Sequence, residues 1–425
     1  MTRSIRYFNS LVVLAGIFFI FYSVIFPRIG RENVELSFVD QTPRPTAVVP
    51  INWRNLTPSQ INGLSTLGKW LLEPRWADVS ETLDYPAGGY LILIWKYGSL
   101  LERRHLKRFG SKAYSPWDNC SVKNCRLSYD SADVEVADAI LFHLHQTQSV
   151  EELPKNLSSE IRMRQRWIFM TDESPLHTFL HGHQHLSDYN GLFNWSMTYR
   201  MDSDVPVPYG RTLAAGSVVN IDENLIKSKN KLVAIMGSNC GRNNGRWEYV
   251  RNLRKALEGR LDIYGVCLHG DTELCPRHYA KDCEVLKQYK CYLAFENSNC
   301  KEYLTEKPFW HGYQKYSVPI IMGASRYDCK QLLPPQSFIH VDDFANPNTL
   351  ADYLLYLDEN HAEYMKFHNW RKNFTVLNEH GYFQSASRHY CRLCEALNYN
   401  DPSRKVYDNI DEFWSASKDC NNPHF

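Results

Sequence analysis

The stretch KLVAIMGSNCGRNNGRWEYVRNLRKALEGRLDIYGV, residues 231–266, decides the fold. Leu232 to Met236 is a continuous apolar run of strand length, and Gly237 to Gly245 is rich in turn residues. From about Arg246 to Glu258, Trp247, Val250, Leu253 and Leu257 recur at helical spacing, and Asp262 to Val266 reads as the next strand. Strands apolar on both faces need helices over both faces, so strand, amphipathic helix and strand read as a βαβ unit of a parallel sheet.

The same pattern extends in both directions. Downstream lie the runs Lys290 to Phe295, Val318 to Met322 and Phe338 to Val341, with helices between them. Pro347-Asn348 then opens a long helix that carries Leu350, Leu354, Leu357, Tyr364 and Trp370. Upstream, Tyr90 to Trp95, Asp138 to His143 and Trp167 to Met170 are further apolar strands. The alternation predicts an α/β protein with two doubly wound parallel sheets in succession and a cleft between them. Ligands in such folds bind at the carboxyl ends of the strands. No GxxxxGK[ST] phosphate loop is present, which argues against a P-loop kinase or sulfotransferase. Gly241 to Gly245 is too irregular for a dinucleotide fingerprint.

The 425 residues hold 48 Lys+Arg against 47 Asp+Glu, a formal net charge of +1. A dedicated nucleic-acid binder would show a basic excess, so nucleic acid is not an expected partner. With 44% hydrophobic and 22% charged residues, disordered and coiled-coil readings are excluded as well.

Tyr7 to Pro27 carries no charge, with Arg3 and Arg6 before it and Arg28 and Arg31 after. As a helix rising about 1.5 Å per residue it spans roughly 30 Å, one hydrocarbon core. The bulky Val24-Ile25-Phe26 before Pro27 offers no small-residue cleavage site. An uncleaved signal-anchor over 7–27 is expected, with residues 1–6 as a cytoplasmic tail and a luminal body. Residues 28–85 are polar and proline-dotted and read as a stem. An even number of cysteines, 12, suits an oxidising compartment. Five glycosylation sequons, at Asn55, Asn119, Asn156, Asn194 and Asn373, point the same way.

The segment FENSNCKEYLTEK, residues 295–307, carries chemistry. An apolar strand ends in Glu296-Asn297, and a short loop leads to a helix start at Thr305-Glu306-Lys307. Polar groups at a strand end beside a helix N-terminus favour anions. Lys307 can neutralise a phosphate and Glu306 can accept from ribose hydroxyls. The same residues also fit a capped helix with a solvent salt bridge.

With VPIIMG at 318–323, this segment resembles the donor-site signature of the α1,3/4-fucosyltransferases, glycosyltransferase family 10. WIFMTDESP at 167–175, FNWSMTYRMDSDVPVPYG at 193–210 and FIHVDDF at 338–344 add to the resemblance, which runs from about residue 90 to 375. It implies a GT-B fold of two Rossmann-like doubly wound domains after the transmembrane helix. Residues 86–225 would bind the acceptor, 226–375 would bind GDP-fucose, and 376–425 would form a cysteine-containing C-terminal segment. Carried over residue by residue, Arg246 and Lys307 would contact the diphosphate and Glu306 the ribose. Asn297 and Tyr303 would line the nucleotide-sugar pocket, and Glu296 would face the fucose.

Glu173 matches the family's catalytic base; from the residues alone it reads sooner as a helix-capping carboxylate before Ser174-Pro175. The neighbouring Asp172 should point the other way, because side chains alternate along a strand. Asp202-Ser203-Asp204 is a D-x-D, which in many glycosyltransferases holds a metal on the diphosphate. It lies far along the chain from the donor motif and reads as structural. No cofactor is expected to be required, a divalent metal such as manganese being at most stimulatory. His177, His181, His183 and His185 are spaced too loosely for zinc and suit an acceptor-side loop. Cys391-Arg-Leu-Cys394 fits disulfide use better than a zinc pair, and it resembles the terminus of core α1,3-fucosyltransferases of plants and invertebrates.

The expected function is inverting transfer of L-fucose from GDP-β-L-fucose to O3 of GlcNAc, on the Asn-linked core of an N-glycan, by a single-pass type II Golgi membrane enzyme. Lewis-type fucosylation of outer-arm LacNAc or LacdiNAc is one alternative. A catalytically silent glycan-binding homologue is another.

Overall fold

Six parallel strands build the first lobe: β1 (Tyr90–Trp95), β2 (Cys125–Ser128), β3 (Ala139–His143), β4 (Arg166–Thr171), β5 (Trp195–Thr198) and β6 (Val205–Pro206), in the order β2-β1-β3-β4-β5-β6. After β7 (Gly210–Ala214) comes a second parallel sheet. It is built from β8 (Lys231–Met236), β9 (Leu261–Tyr264) and β10 (Tyr289–Phe295). The two-residue β11 (Asn299–Cys300) stands outside it, and β12 (Val318–Met322) and β13 (Ile339–His340) complete the order β13-β12-β10-β8-β9. The strand order reverses between β8 and β10, which opens a crevice at their carboxyl ends. The computed structural model describes residues 54, 56–72, 89–181, 184–215, 217–241, 244–275 and 281–421. The expected anchor at 7–27, most of the stem, Asn55 and His183 lie outside these. Among the described residues no helix is long and apolar enough to cross a membrane.

Strands apolar on both faces sit where their sequence demands. Leu141, Ile168 and Met170 face one cluster of the first lobe, and Ile140, Phe142 and Phe169 face the other. In the second lobe the helix Arg246–Ala256 buries Trp247, Val250 and Leu253 against Val233, Leu293 and Ile320. The opposite face holds Tyr292, Ala294 and Ile321, and there Tyr199 and Tyr209 of the first lobe join the same cluster. The two lobes therefore pack apolar side chains against each other.

Three segments depart from the sequence reading. The long helix opened by Pro347 stops at Glu359; Asn360 is non-helical, with its side chain donating to the Tyr356 carbonyl at 2.8 Å, and a second helix covers His361–Lys366. A short polar side chain that bonds nearby backbone competes with helix continuation. The end of the stem is folded: the helix Thr66–Leu72 buries Leu67 and Leu71 in the first-lobe core. Arg54 is also buried, donating to the carbonyls of Gln331 at 3.0 Å and Thr212 at 3.3 Å.

Residues 376–425 do not stand apart either. Strand β14 (Phe374–Asn378) pairs antiparallel with β7, and the helix His389–Tyr399 packs Tyr390, Leu393 and Ala396 into the first lobe. Cys391 and Cys394 do not share a ligand; they form disulfides with Cys120 and Cys125. The chain then reaches the second lobe, where β15 (Cys420–Asn421) pairs with β11 and Cys420 bonds Cys300. Further disulfides join Cys240 to Cys267 and Cys275 to Cys283, while Cys291 and Cys329 are free and buried.

One expected glycosylation site is corrected. The Asn194 side chain is buried, accepting from the Trp167 amide at 2.9 Å and donating to the Lys405 carbonyl at 2.9 Å. Both ends of its amide make hydrogen bonds inside the fold, so it does not sit open to solvent as the sequon suggests. Asn119, Asn156 and Asn373 are exposed.

Candidate functional site

Strand β4 ends in two carboxylates that alternate to opposite sides. Asp172 turns into the first lobe, where it pairs with Arg104 and lies 3.3 Å from Nε2 of His380. The Tyr209 hydroxyl donates to the Asp172 carbonyl at 2.8 Å. Glu173 turns the other way. Its Oε2 accepts from the Tyr303 hydroxyl at 3.0 Å and from Nδ2 of Asn297 at 3.3 Å. Beside it, Ser298 Oγ donates to Ser174 Oγ at 2.7 Å. The end of β4 and the donor-like loop after β10 thus meet directly.

The loop after β10 is held from within. Glu296 is fully buried, and its carboxylate accepts from the Thr305 amide at 2.8 Å, from the Thr305 hydroxyl at 2.8 Å and from Nζ of Lys307 at 2.7 Å. Burial pushes this carboxyl above its ordinary value, against the pull of Lys307. The expectation that Glu296 faces a bound sugar does not fit this arrangement, because its oxygens are taken up inside the second lobe. Gly323 at the end of the VPIIMG segment explains the approach: its φ is +146°, and an added Cβ would lie 2.8 Å from the Glu296 Cβ.

Lys307 begins the wide turn Lys307–Gly312 and also reaches Glu306 at 3.6 Å. Burial alone would lower its pKa, but Glu296 and Glu306 outweigh that and hold it above the ordinary lysine value. An ammonium has three N–H donors; Glu296 and Thr305 engage two of them. Glu306 is half-buried, and desolvation would raise its pKa, yet Lys307 and His311 hold it below the ordinary carboxylate range.

Across the switch point, Gly245 at φ +70° turns the chain into the helix Arg246–Ala256. The Arg246 guanidinium donates to the carbonyls of Phe295 at 3.1 Å and Asn239 at 2.5 Å. Asn244 donates to the Glu296 carbonyl at 2.9 Å, tying this turn to the β10 loop. A helix N-terminus, a buried guanidinium and an ammonium therefore surround the carboxyl ends of β8 and β10. Such a set stabilises negative charge developing on a phosphate. The carboxylate of Glu173, with one oxygen restrained, can take a proton.

The D-x-D is occupied by cations of the protein. Asp202 pairs with Arg200 at 2.6 Å and with Lys301 at 2.7 Å. Asp204 accepts from the Ser196 amide at 2.8 Å, the Tyr407 hydroxyl at 2.8 Å and Lys405 at 2.9 Å. His181 is exposed and His185 caps the turn Leu186–Tyr189, so they do not converge with His177. Sequence reasoning missed Arg104, which braces Asp172, and the Ser174–Ser298 bridge; both depend on contacts between distant segments that no local pattern encodes.

Residues 88–210 match the family description "Fucosyltransferase, N-terminal", and residues 226–414 match "Glycosyltransferase family 10 (fucosyltransferase) C-term". The chain is similar to Glycoprotein 3-alpha-L-fucosyltransferase A of Drosophila melanogaster, 34% identical over 308 residues, covering 71% of this chain and 56% of that protein. It is 35% identical over 277 residues to 4-galactosyl-N-acetylglucosaminide 3-alpha-L-fucosyltransferase FUT6 of Pan troglodytes, covering 64% of this chain and 71% of that one. A crystal structure of an alpha1,3-fucosyltransferase with GDP-fucose aligns at 16% identity and a TM-score of 0.45, covering 76% of this chain and 93% of the other.

Proposed function

The chain belongs to the fucosyltransferases of glycosyltransferase family 10, and from that premise we propose that it transfers L-fucose from GDP-β-L-fucose to O3 of an N-acetylglucosamine, with inversion to the α linkage. The observation that carries this reading is the contact of Glu173 with Tyr303 and Asn297, which brings a carboxylate of the first lobe onto the loop of the second lobe. In this reading residues 86–225 present the acceptor and 226–375 hold the donor.

The steps follow from the groups present. The acceptor O3–H gives its proton to Glu173 as O3 bonds the anomeric carbon. The bond from that carbon to the β-phosphate oxygen breaks, and GDP leaves with the electron pair. Arg246 and the remaining donor of Lys307 hold the diphosphate, and Glu306 accepts from the ribose. General base catalysis of this kind contributes about 10²–10⁴-fold. Asn297 and Tyr303 act in this scheme on Glu173 as well as on the sugar pocket.

For the acceptor, the core GlcNAc of an N-glycan is favoured by the Cys391 and Cys394 arrangement and by the glycoprotein named for the Drosophila relative. The FUT6-like relative supports a second reading, Lewis-type transfer to outer-arm LacNAc or LacdiNAc. Five disulfides suit the oxidising lumen of a Golgi type II membrane protein anchored through residues 7–27.

The test is GDP release by the purified protein with GDP-fucose, with and without core and outer-arm glycans, and mass spectrometry of the products. Acceptor-dependent release with fucose on the core GlcNAc is expected. Fucose on the outer arm alone would replace the core reading, and no acceptor-dependent release would leave a silent glycan-binding homologue.

A further inference from the structure

His177 ends the short turn Pro175–His177 that follows Glu173. Its Nε2 is buried and has no hydrogen-bond partner. The turn is fastened: the His177 carbonyl bonds Nδ1 of His145 at 2.9 Å, and the Leu180 amide donates to the His145 carbonyl at 3.0 Å. The Glu173 carboxylate and the Arg246 guanidinium act on the ring electrostatically, and the Asn297 backbone lies within hydrogen-bonding reach of it. Buried polar atoms are nearly always paired, so an unpaired one on the turn that follows Glu173 calls for a partner from the ligand.

Building on the function proposed above, we propose that His177 is a positioning residue whose Nε2 hydrogen-bonds a hydroxyl of the sugar being transferred. In that reaction the migrating sugar lies between the group that takes the acceptor proton and the cations that hold the leaving diphosphate. His177 is the ring that both Glu173 and Arg246 act upon. Burial first, then His145 and Arg246, hold the imidazole below its ordinary pKa, with Glu173 opposing. An uncharged ring suits a centre where positive charge develops as the bond to the diphosphate breaks. A neutral imidazole also offers one donor and one acceptor, which matches a hydroxyl.

Calorimetry with GDP and with GDP-fucose separates sugar recognition from nucleotide recognition. His177→Ala should weaken GDP-fucose about tenfold, one hydrogen bond's worth, while GDP affinity and acceptor KM stay unchanged. His177→Gln, whose amide also donates and accepts, should recover part of the loss even if the alanine variant folds poorly. Equal losses for GDP and GDP-fucose, a change confined to acceptor KM, or no change in either variant overturns the assignment. Wild-type protein that binds neither ligand overturns the reading beneath it, and that result is read before any variant.

Discussion

Tyr303 donates its hydroxyl to Oε2 of Glu173 at 3.0 Å, although 130 residues separate them in the chain. Burial, with Glu173 adding, raises the Tyr303 hydroxyl well above its ordinary value, so it stays a donor throughout the physiological range. The carboxylate is thereby held with Oε2 occupied and Oε1 left for the proton it must take.

Glu173→Gln should reduce turnover by at least about 10²-fold, with GDP-fucose affinity within a few-fold, because the amide keeps the shape but cannot act as base. Steady-state GDP release and calorimetry read the two quantities separately. A collapse of donor affinity would make Glu173 a donor ligand.

Lys307→Met should destabilise the fold as well as abolish donor binding, because it leaves the buried Glu296 carboxylate unpaired. Removing one partner of a buried pair costs about 3–5 kcal/mol. Adding Glu296→Gln should return most of the melting temperature without returning activity. Thermal melts of the single and double variants check this; an active double variant would remove Lys307 from the phosphate site.

These two carboxylates show what the sequence could convey. The strand runs at β4 and β10 were legible because both-face apolar runs have few other homes, and the signature at 295–307 marked the loop that meets Glu173. The turn of Glu296 away from the crevice was not legible, since it depends on the Thr305 and Lys307 donors folding back onto it. The folded end of the stem was hidden for a related reason: Leu67 and Leu71 find their core only against distant strands. Asn194 carries an acceptor sequon, and only the neighbouring strand and Lys405 reveal that its amide is already used.

Glu302 makes stability depend on pH. Burial and then Asp202 push its carboxyl up to about 7, while its Oε2 accepts from the Met201 amide at 2.7 Å across the lobe junction. The folded value lies above the ~4.3 of an unfolded glutamate, so its contribution is complete below about 4.3 and is lost as pH rises through about 7. Melting temperature should fall from about pH 5 to about pH 8, and Glu302→Gln should flatten that slope. An unchanged slope in the variant would assign the effect to another group.

Chelation with EDTA should leave substantial activity. Asp202 and Asp204 are already neutralised by Arg200, Lys301 and Lys405. Complete loss of GDP release, restored by manganese, would instead make this D-x-D a metal ligand set.

Glycopeptide mass spectrometry of the secreted body should find Asn194 unmodified, and Asn194→Gln should leave its glycan mass unchanged. The buried amide of Asn194 predicts this against its sequon. A glycan at Asn194 would require that segment to leave the core.

The link from Cys300 to Cys420 has a consequence for synthesis. The loop that carries the donor signature is fastened to a residue 120 positions further along the chain. That covalent tie can form only after both sheets have been synthesised, so a stop shortly before residue 420 would yield a product with every strand of both sheets and with Cys300 lacking its disulfide partner.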